Sequence, residues 1–436
     1  MQSTEMVHIL DESMRPVSLR GAGVGNCPMA QKLRWLVNTT PWPIGKRKDM
    51  RTIFWTLSTL LASAAVANTA WAADAAPEAP AAAASASAFD FSGHIDIGYP
   101  GLSGKGKFAN GINNRVFDFE HKDLILHAVD LQVSKLPEYG FGGLLNVTLG
   151  KDADTIAAYG TIDRTKGPAN GVDKRVDVTQ AFGHYGAGPF SIIAGKYVTL
   201  AGAEVIKSDA DVNYSRSILF GYAIPFTHTG IRAAYKVDDK LTLIGGVNNG
   251  WDNFKDTNGN KTLELGLSYS PTDAISLGIQ GYSGKEQICN YPEACIDGLK
   301  GTRNLVDIVA TYKVDDKLSF ILNFDYGSQA NATLLDGGIG KATWNGWAGY
   351  AQYQFSDQWR LVLRGEFFDD KDGYRTGFGQ KWRETTLTLA YLPIKSIEVR
   401  AEVRADKSSQ FVFLKSDGVT RSNGQNSFGL EFLYKF

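Results

Sequence analysis

Long runs of strictly alternating apolar and polar side chains are the feature of this sequence that most constrains its fold. Over residues 89–99 the apolar side chains occupy every second position, and Asp90, Ser92, His94 and Asp96 lie between them. The same pattern returns at 263–269, 306–312, 318–326 and 397–403. These alternations hold for seven to eleven residues, whereas strands of soluble proteins usually span about five or six. The greater length is typical of strands that cross a bilayer at a tilt.

A β-sandwich and a secreted β-solenoid also alternate, so a second observation is needed to separate the three architectures. The polar face of the strand at 397–404 carries four consecutive charged residues, which a sandwich core could not hold unpaired. The connections alternate between short ones, at 237–240, 270–273, 314–317, 356–358 and 392–395, and long ones, at 100–122, 150–175, 199–229, 284–303 and 406–425. Tight periplasmic turns and longer extracellular loops are typical of an outer-membrane barrel.

The sequence therefore predicts an all-β, transmembrane antiparallel β-barrel of about 16 strands. The face assignment is weakest at 176–185, 190–197 and 230–237, where glycines obscure the alternation. A barrel of this size is wide enough for a water-filled channel. One aromatic girdle is expected beside the short turns, formed by Tyr235, Tyr269, Tyr312, Phe355 and Tyr391.

The N-terminal part predicts an exported protein. Residues 50–72 have a basic start, an apolar stretch and an Ala-Trp-Ala cleavage site, as a signal peptide does. We interpret residues 1–49 as a non-native upstream extension, with translation starting at Met50; the alternative is a long basic n-region. Residues 73–88 are rich in Ala and Pro and predict a periplasmic tether. The barrel domain then comprises 89–436.

Charge and composition exclude some functions. The chain has 45 Lys or Arg and 46 Asp or Glu, so no overall basic field favours nucleic acid as a partner. Residues 1–72 hold eight of these bases and four of the acids, which leaves the exported part at a net charge of -5.

The C-terminal end carries a family resemblance. In residues 426–436, apolar side chains alternate up to the terminal Phe436. This resembles the closing strand of Gram-negative outer-membrane proteins, which implies that Phe436 is the signal read by the barrel-assembly machinery. The stretches GAEVI at 202–206 and NYSRSILFGYAIPFTHTGIR at 213–232 resemble the OmpL-like β-barrel porin family. The resemblance implies an outer-membrane porin with poorly defined substrates and transfers no catalytic residues.

The long connection 199–229 is unusual because it contains large apolar side chains that resist full exposure, among them Val205, Ile206, Ile218, Leu219, Phe220, Tyr222, Ile224 and Phe226. We expect it to fold into the barrel and narrow the channel, and the alternative is a hairpin above the membrane or at a subunit contact. The expected constriction residues of this connection are Glu204, Lys207, Asp209, Asp211 and Arg216.

Lumen-facing charges on the strands are the other candidate site residues. One set consists of Arg360, Arg364, Arg400 and Arg404, and another, elsewhere around the ring, of Asp96, Asp307 and Asp325. Two interpretations stay open. The two sets could oppose each other across the lumen and create a transverse field, or Glu366, Glu398 and Glu402 could neutralise the arginines locally.

Enzyme motifs and cofactor signatures are absent from the sequence: there is no Gly-x-Ser-x-Gly elbow, phosphate-loop lysine motif, zinc motif or dinucleotide fingerprint. His121 and His127 are expected in surface or girdle positions. Five residues separate Cys289 from Cys295, and a disulfide is expected in an oxidising compartment.

The function that the sequence predicts is passive diffusion of small hydrophilic solutes or ions, without enzymatic activity or cofactor. The alternatives are an outer-membrane hydrolase and a closed barrel acting as an adhesin or structural anchor. Outer-membrane lipid and a homotrimer are the other expected associations.

The assignment of the N-terminal part can be checked directly. We expect mass spectrometry of the native exported protein to identify the barrel domain and no peptide from residues 1–49. Recovery of such peptides from the outer membrane would contradict translation from Met50.

Overall fold

A computed structural model describes residues 89–103, 114–160, 175–289, 295–415, 417 and 419–436. Sixteen of its strands form one closed antiparallel barrel. Each strand pairs with its neighbour in sequence, and β18 then pairs with both β15 and β1. The expectation of about sixteen strands is confirmed.

The strands follow one another along the chain with few other elements between them. They are β1 Asp90–Ser103, β2 Ile125–Lys135, β3 Tyr139–Leu149, β4 Val176–Ala187, β5 Phe190–Val198, β6 Thr227–Lys236, β7 Leu241–Asn248, β8 Thr262–Thr272, β9 Ile275–Cys289, β10 Cys295–Lys313, β11 Leu318–Thr333, β12 Ile339–Ser356, β13 Trp359–Asp370, β14 Gln380–Ile394, β15 Ile397–Ser408, β16 Phe413–Leu414, β17 Arg421–Ser422 and β18 Gly424–Lys435. The helices are α1 Lys151–Ile156 and α2 Ile218–Tyr222, with a 3₁₀ turn at Ser208–Ala210. Strands β16 and β17 form a separate small hairpin. Among the described residues, no helix is long and apolar enough to cross a bilayer.

The two faces of the barrel differ as the alternation predicts. On β8 the Leu265 side chain is 57% exposed, while the neighbouring Glu264 is fully buried. On β11 Leu322 is 53% exposed and Asp325 is fully buried. Apolar side chains therefore point outward, and polar ones point to the interior.

Two of the short turns are built alike. Asp238 accepts hydrogen bonds from the backbone N–H groups of Lys240 and Leu241, both at 2.8 Å. In the second Val-Asp-Asp-Lys-Leu turn, Asp315 accepts the equivalent pair at the same distances. These backbone donors lower the pKa of both aspartates. The repeated sequence therefore encodes the same tight turn twice.

The aromatic residues of the expected girdle lie beside the short turns and point outward. Tyr235 and Tyr312 are each 50% exposed. The Trp359 ring stacks on Phe355 and lies 4.6 Å from the ring of Tyr391, centroid to centroid. Such a belt is typical of the interface between lipid and water.

Some long connections differ from expectation. Strands β9 and β10 continue into the connection predicted at 284–303, so this hairpin is longer than the alternation suggested. The connection at 406–425 contains the small β16–β17 hairpin, and the one at 150–175 begins with α1. A further long connection, 249–261, was missed in the sequence because its Gly and Asn residues resemble an ordinary turn.

The seam of the barrel joins the first strand to the last. His94 pairs with Lys435, and the register continues to Ser103 opposite Asn426. The backbone of Phe436 extends the seam by exchanging two hydrogen bonds with Gly93, at 2.8 and 3.0 Å. The Phe436 ring is half exposed on the outward side, and its role as an assembly signal stays a prediction.

Several predictions from the sequence concern residues outside this description. The extension at 1–49, the signal peptide at 50–72 and the tether at 73–88 lie outside the described residues. The backbones of Cys289 and Cys295 are register partners. Their side chains are outside the description, so the disulfide stays a prediction.

The outward face of β8 provides a test of the lipid-facing assignment. We expect Leu265→Arg to impair assembly, because an arginine at mid-depth on the lipid side costs about 2–4 kcal/mol. Ser268→Arg is the matched control, since Ser268 lies on the same strand and faces inward. Outer-membrane fractionation with heat-dependent gel mobility measures the folded fraction. Equal assembly of both variants would contradict the face assignment, and so would a greater defect in Ser268→Arg.

The alternation by itself predicts that Glu264→Gln is harmless, because Glu264 lies on the polar face of β8. In the structure, however, Glu264 binds Arg232 at 2.8 Å and accepts a hydrogen bond from Tyr282. The change would disturb a buried ion pair, so it is a poor neutral control.

Candidate functional site

The connection between β5 and β6, residues 199–226, lies against the inward-facing side chains of the barrel; we call it the inner segment. Its contacts come from strands around the whole ring. They include Asp209 with His94 on β1, Tyr214 with His127 on β2, Thr199 with Tyr282 on β9, Ala203 with Asn323 on β11, Glu204 with Arg364 on β13, Asn213 with Thr388 on β14, and Tyr214 and Ser215 with Glu402 on β15. A hairpin above the membrane would not meet these side chains.

Helix α2 lies in the inner segment, and the backbone N–H groups at its start are bound by side chains. Ser217 caps it by accepting a hydrogen bond from the backbone N–H of Phe220. Glu366, on β13, accepts hydrogen bonds from the N–H groups of Ile218 at 2.8 Å and Leu219 at 3.3 Å. A wall carboxylate thus binds the backbone donors that a helix start leaves open.

The apolar side chains of the inner segment are covered by an interior apolar cluster. Leu219 is fully buried and Phe220 is 2% exposed. The segment contributes Ile206, Ile218, Leu219, Phe220, Tyr222, Ala223, Ile224 and Phe226, the wall contributes Leu305, Ile321, Trp344, Ala348, Tyr350, Phe368 and Trp382, and other connections contribute Val116, Phe117, Trp251, Val412 and Phe413. Inward-facing positions are therefore apolar where the segment packs on the wall.

Arg364 is the central ion-pairing residue of the site. Its guanidinium is fully buried and lies 2.8 Å from Glu204, 3.3 Å from Glu384 and 3.4 Å from Glu366. It also donates to the backbone carbonyl of Ser215 at 2.6 Å. One arginine on β13 thereby joins two carboxylates of the wall and one of the inner segment, and burial without these partners would be very costly.

Arg400 holds the inner segment by its backbone. It pairs with Glu398 at 2.7 Å and Glu431 at 2.9 Å. Its remaining donors reach the backbone carbonyls of Ser208, Asp211 and Asn213. These contacts are charge-assisted, which makes them stronger than bonds between neutral groups.

Arg404 and Arg360 are also paired locally. Arg404 lies 2.8 Å from Asp406 and donates to the carbonyl of Arg216. Arg360 contacts Glu398. Of the three carboxylates expected to neutralise the arginines, Glu366 and Glu398 do so. Glu402 instead accepts the backbone N–H groups of Tyr214 at 2.8 Å and Ser215 at 3.0 Å. The contacts therefore favour local neutralisation over a transverse field.

The candidate acids elsewhere on the ring lie in the interior and are covered. Asp307 and Asp325 are register partners on β10 and β11, at most 1% exposed, and Asn323 donates to Asp307 at 2.7 Å. Asp96 is 2% exposed. None of the three presents a charge to open solvent.

Among the candidate residues, exposure distinguishes those that a solute could reach. The side chains of Glu204, Asp211 and Arg216 are at most 5% exposed, and Arg216 pairs with Asp211 at 3.0 Å. Lys207, Asp209 and Arg360 retain 26%, 23% and 16% exposure. We call these last three the exposed charges.

Sequence reasoning missed several partners. The sequence predicts a surface or girdle position for His127, but its ring is 1% exposed, 3.3 Å from Asp152 and 2.9 Å from the Tyr214 hydroxyl. Glu384, Glu431 and Asp406 were missed too, as was Lys435, which donates to the backbone of Asp209. These four residues occupy inward-facing positions in the alternation of β14, β15 and β18, and this position is the sequence feature that could have identified them. Among the described residues, no group of three or more His, Cys, Asp and Glu side chains could hold a metal.

Carboxyl groups at the inner segment differ in their pKa. Burial raises the pKa of Asp211 to about 7, although Arg216 opposes the shift. Burial likewise raises the pKa of Asp118, which accepts the backbone N–H of Arg216, to about 6. For Asp209, burial acts in the same direction, but contacts with His94 and the positive charges of Lys207 and Lys435 outweigh it and lower the pKa.

These shifts predict how the barrel responds to pH. The pKa of an aspartate in the unfolded chain is near 3.8. Because the pKa values of Asp118 and Asp211 are higher in the folded protein, these groups stabilise it fully below pH 3.8, and this stabilisation is lost as the pH rises through about 6 and 7. We expect thermal stability, measured by heat-dependent gel mobility, to fall between about pH 5 and pH 8. Asp211→Asn should flatten this dependence. Asp209→Asn should leave it unchanged, because a lowered pKa acts only in stronger acid. Stability that rises over this range would contradict the assignment.

The role of Arg364 can be tested by removing its charge. We expect Arg364→Met to destabilise the barrel by about 3–5 kcal/mol, because Glu204, Glu366 and Glu384 are left buried without their cation. The control is Arg383→Met, because Arg383 is exposed on the outward face and surface charges contribute about 1 kcal/mol or less. The unfolding temperature by gel mobility is the readout. Similar unfolding temperatures for the two variants would show that the buried pairs contribute little.

Comparisons with known proteins agree with this architecture. A family model described as "Putative beta-barrel porin-2, OmpL-like" matches residues 88–436. No curated protein gives a significant sequence match.

Several solved outer-membrane structures share the fold. The outer membrane channel DcaP of Acinetobacter baumannii is 16% identical, with a TM-score of 0.52 over 80% of this chain and 97% of that one. An anion-selective porin from Comamonas acidovorans is 11% identical, with a TM-score of 0.55 over 80% and 99% of the two chains. OmpT of Vibrio cholerae, in its trimer form, is 11% identical, with a TM-score of 0.52 over the same shares. At these identities the likeness concerns the fold alone.

Proposed function

The chain belongs to the OmpL-like β-barrel porin family, and from this premise we propose that it is an outer-membrane porin for passive diffusion. Small hydrophilic solutes or ions cross through a water-filled lumen that the inner segment narrows. The observation that carries the proposal is a sixteen-stranded closed ring, apolar outside and polar inside, with one connection bound to its inner wall. A ring of this size is wide enough for an aqueous path.

The exposed charges determine how the constriction treats ions. Lys207 and Asp209 belong to the inner segment and carry opposite charges, while Arg360 is already paired with Glu398. The other arginines are buried among carboxylates and contribute little field to the water path. The channel is therefore expected to discriminate weakly between small anions and cations.

The surroundings of the barrel are part of the same proposal. Residues 50–72 direct export and are removed, residues 73–88 link the new N-terminus to β1, and residues 1–49 are not translated. The barrel-assembly machinery inserts the chain by reading Phe436. The protein forms a homotrimer, which the trimer form of OmpT makes a reasonable arrangement for a barrel of this fold. Neither catalysis nor a cofactor is involved.

Planar-bilayer recording tests the constriction. We expect deletion of 203–222 to increase single-channel conductance, because the segment occupies the lumen at the level of Arg364 and Arg400. The deletion also leaves these arginines with fewer partners, so a second variant that keeps the fold is needed. Lys207→Gln combined with Asp209→Asn removes the two exposed charges of the inner segment, and it should alter conductance without impairing assembly.

The same recording distinguishes the functions. Reversal potentials in a salt gradient are expected to lie close to zero for the wild-type protein and to move when Lys207 alone is neutralised. Unchanged conductance in both the deletion and the double variant would contradict the constriction. A detergent-purified protein without conductance would contradict the porin assignment; ester or lipid turnover would then indicate a hydrolase, and its absence an adhesin or anchor.

A further inference from the structure

A row of cations lies on the outward face of the barrel at its extracellular end. Arg383 on β14 and Lys407 on β15 are register partners, and both are exposed. Lys381 follows on the same face of β14, with its side chain 62% exposed. We call Lys381, Arg383 and Lys407 the cation row. Like charges directly opposite each other on adjacent strands are destabilising, so this arrangement needs a compensating anion.

The described residues compensate the cation row only in part. Lys381 lies 3.6 Å from Asp369, and Lys407 donates to the amide oxygen of Asn423. The Arg383 guanidinium makes no hydrogen bond or ion pair with any residue that the structure describes. Its planar guanidinium is suited to bind a phosphate through two parallel hydrogen bonds.

An apolar groove of about 700 Å³ lies on the same outward face, and Thr385 on β14 lines it at one end. It exists because the outward positions of three adjacent strands are small there: Gly349 pairs with Gly365, which pairs with Thr385. Leu322 and Leu363 form its sides. Thr385 is two residues from Arg383 on the outward face of β14, so one end of the groove lies on the same strand face as the cation row.

The position of these two features in the membrane identifies the kind of ligand. Strands β14 and β15 are joined by the short turn at 395–396 and carry the cation row at their opposite, extracellular ends. The row therefore lies at the outer leaflet, and the groove extends from Thr385 to Ile275 and Tyr312, which lie beside the short turns at the other end. A ligand that fits both needs negative charge above and an acyl chain below.

We propose that the cation row and the groove together bind a phosphorylated glycolipid of the outer leaflet, of the lipid A class. Its phosphates contact Arg383, Lys407 and Lys381, and one acyl chain lies over Gly349 and Gly365. The volume of the groove is within the range of about 300–1,000 Å³ found for small-molecule sites. This assignment does not depend on the lumen being conductive.

Native mass spectrometry of the detergent-purified, full-length exported protein tests the head-group contacts. With bisphosphorylated lipid A as the probe, we expect Arg383→Gln combined with Lys407→Gln to weaken binding by about tenfold or more. The matched control is Lys240→Gln combined with Lys317→Gln, which makes the same change of charge in the repeated turns at the opposite end of the barrel. Equal binding by the two double variants would overturn the proposal.

Two other lipids show whether the site recognises the phosphates of lipid A or attracts any anionic lipid. Dephosphorylated lipid A and phosphatidylglycerol should bind the wild-type protein clearly more weakly than bisphosphorylated lipid A. If phosphatidylglycerol binds equally well, the row attracts any anionic lipid and the proposal is wrong. Equal binding of the dephosphorylated form would also overturn it, because the phosphates would then contribute nothing.

Filling the groove tests the acyl-chain contact. A Cβ atom at Gly349 would meet no atom within 4 Å, and one at Gly365 would meet only a backbone oxygen at 4.0 Å, so a side chain at either position starts into open space. We expect Gly349→Leu combined with Gly365→Leu to assemble normally, as judged by gel mobility, and to bind lipid A more weakly. Undiminished binding to the assembled variant would overturn the groove contact. If the filled variant fails to assemble, the comparison of the two charge variants still decides the head-group site.

Discussion

A strand that crosses hydrocarbon cannot leave its backbone N–H and C=O groups unpaired, and this constraint shapes the whole molecule. Sixteen strands satisfy it only because β18 returns to pair with β1. Once the ring is closed, alternate side chains of each strand face either the lipid or the interior, so that Leu265 contacts lipid while Glu264 is enclosed. The enclosed face can then hold charges that a bilayer would exclude, and those charges bind the inner segment.

Charge pairing inside the barrel has a structural role before it has a transport role. Arg364 and Arg400 contact carboxylates of the wall and also groups of the inner segment. Buried ion pairs are weak evidence for added stability, but removing one partner is costly. The pairs therefore specify where the segment lies, and the apolar cluster around Leu219 supplies the favourable burial. Ion pairs and apolar packing thus both bind the inner segment to the wall.

Sequence patterns predicted the parts of this protein that depend on local periodicity. The strand faces, the strand count and the repeated turns all follow from spacing of two and from turn residues. The apolar content of 199–229 also indicated that the segment must be covered. Partners across the lumen could not be predicted, because the pairing of Glu204 with Arg364 joins residues 160 positions apart in sequence. His127 was misjudged for the same reason: its partner Tyr214 comes from a distant connection.

The seam between β1 and β18 has a consequence for biogenesis. Because the two strands that complete the ring are the first and the last of the barrel, every intermediate in synthesis presents two unpaired sheet edges. Such edges are templates for pairing with other chains, and they stay exposed until β18 is available. The two edges are removed together, when β18 pairs with β1, because that one pairing completes the ring.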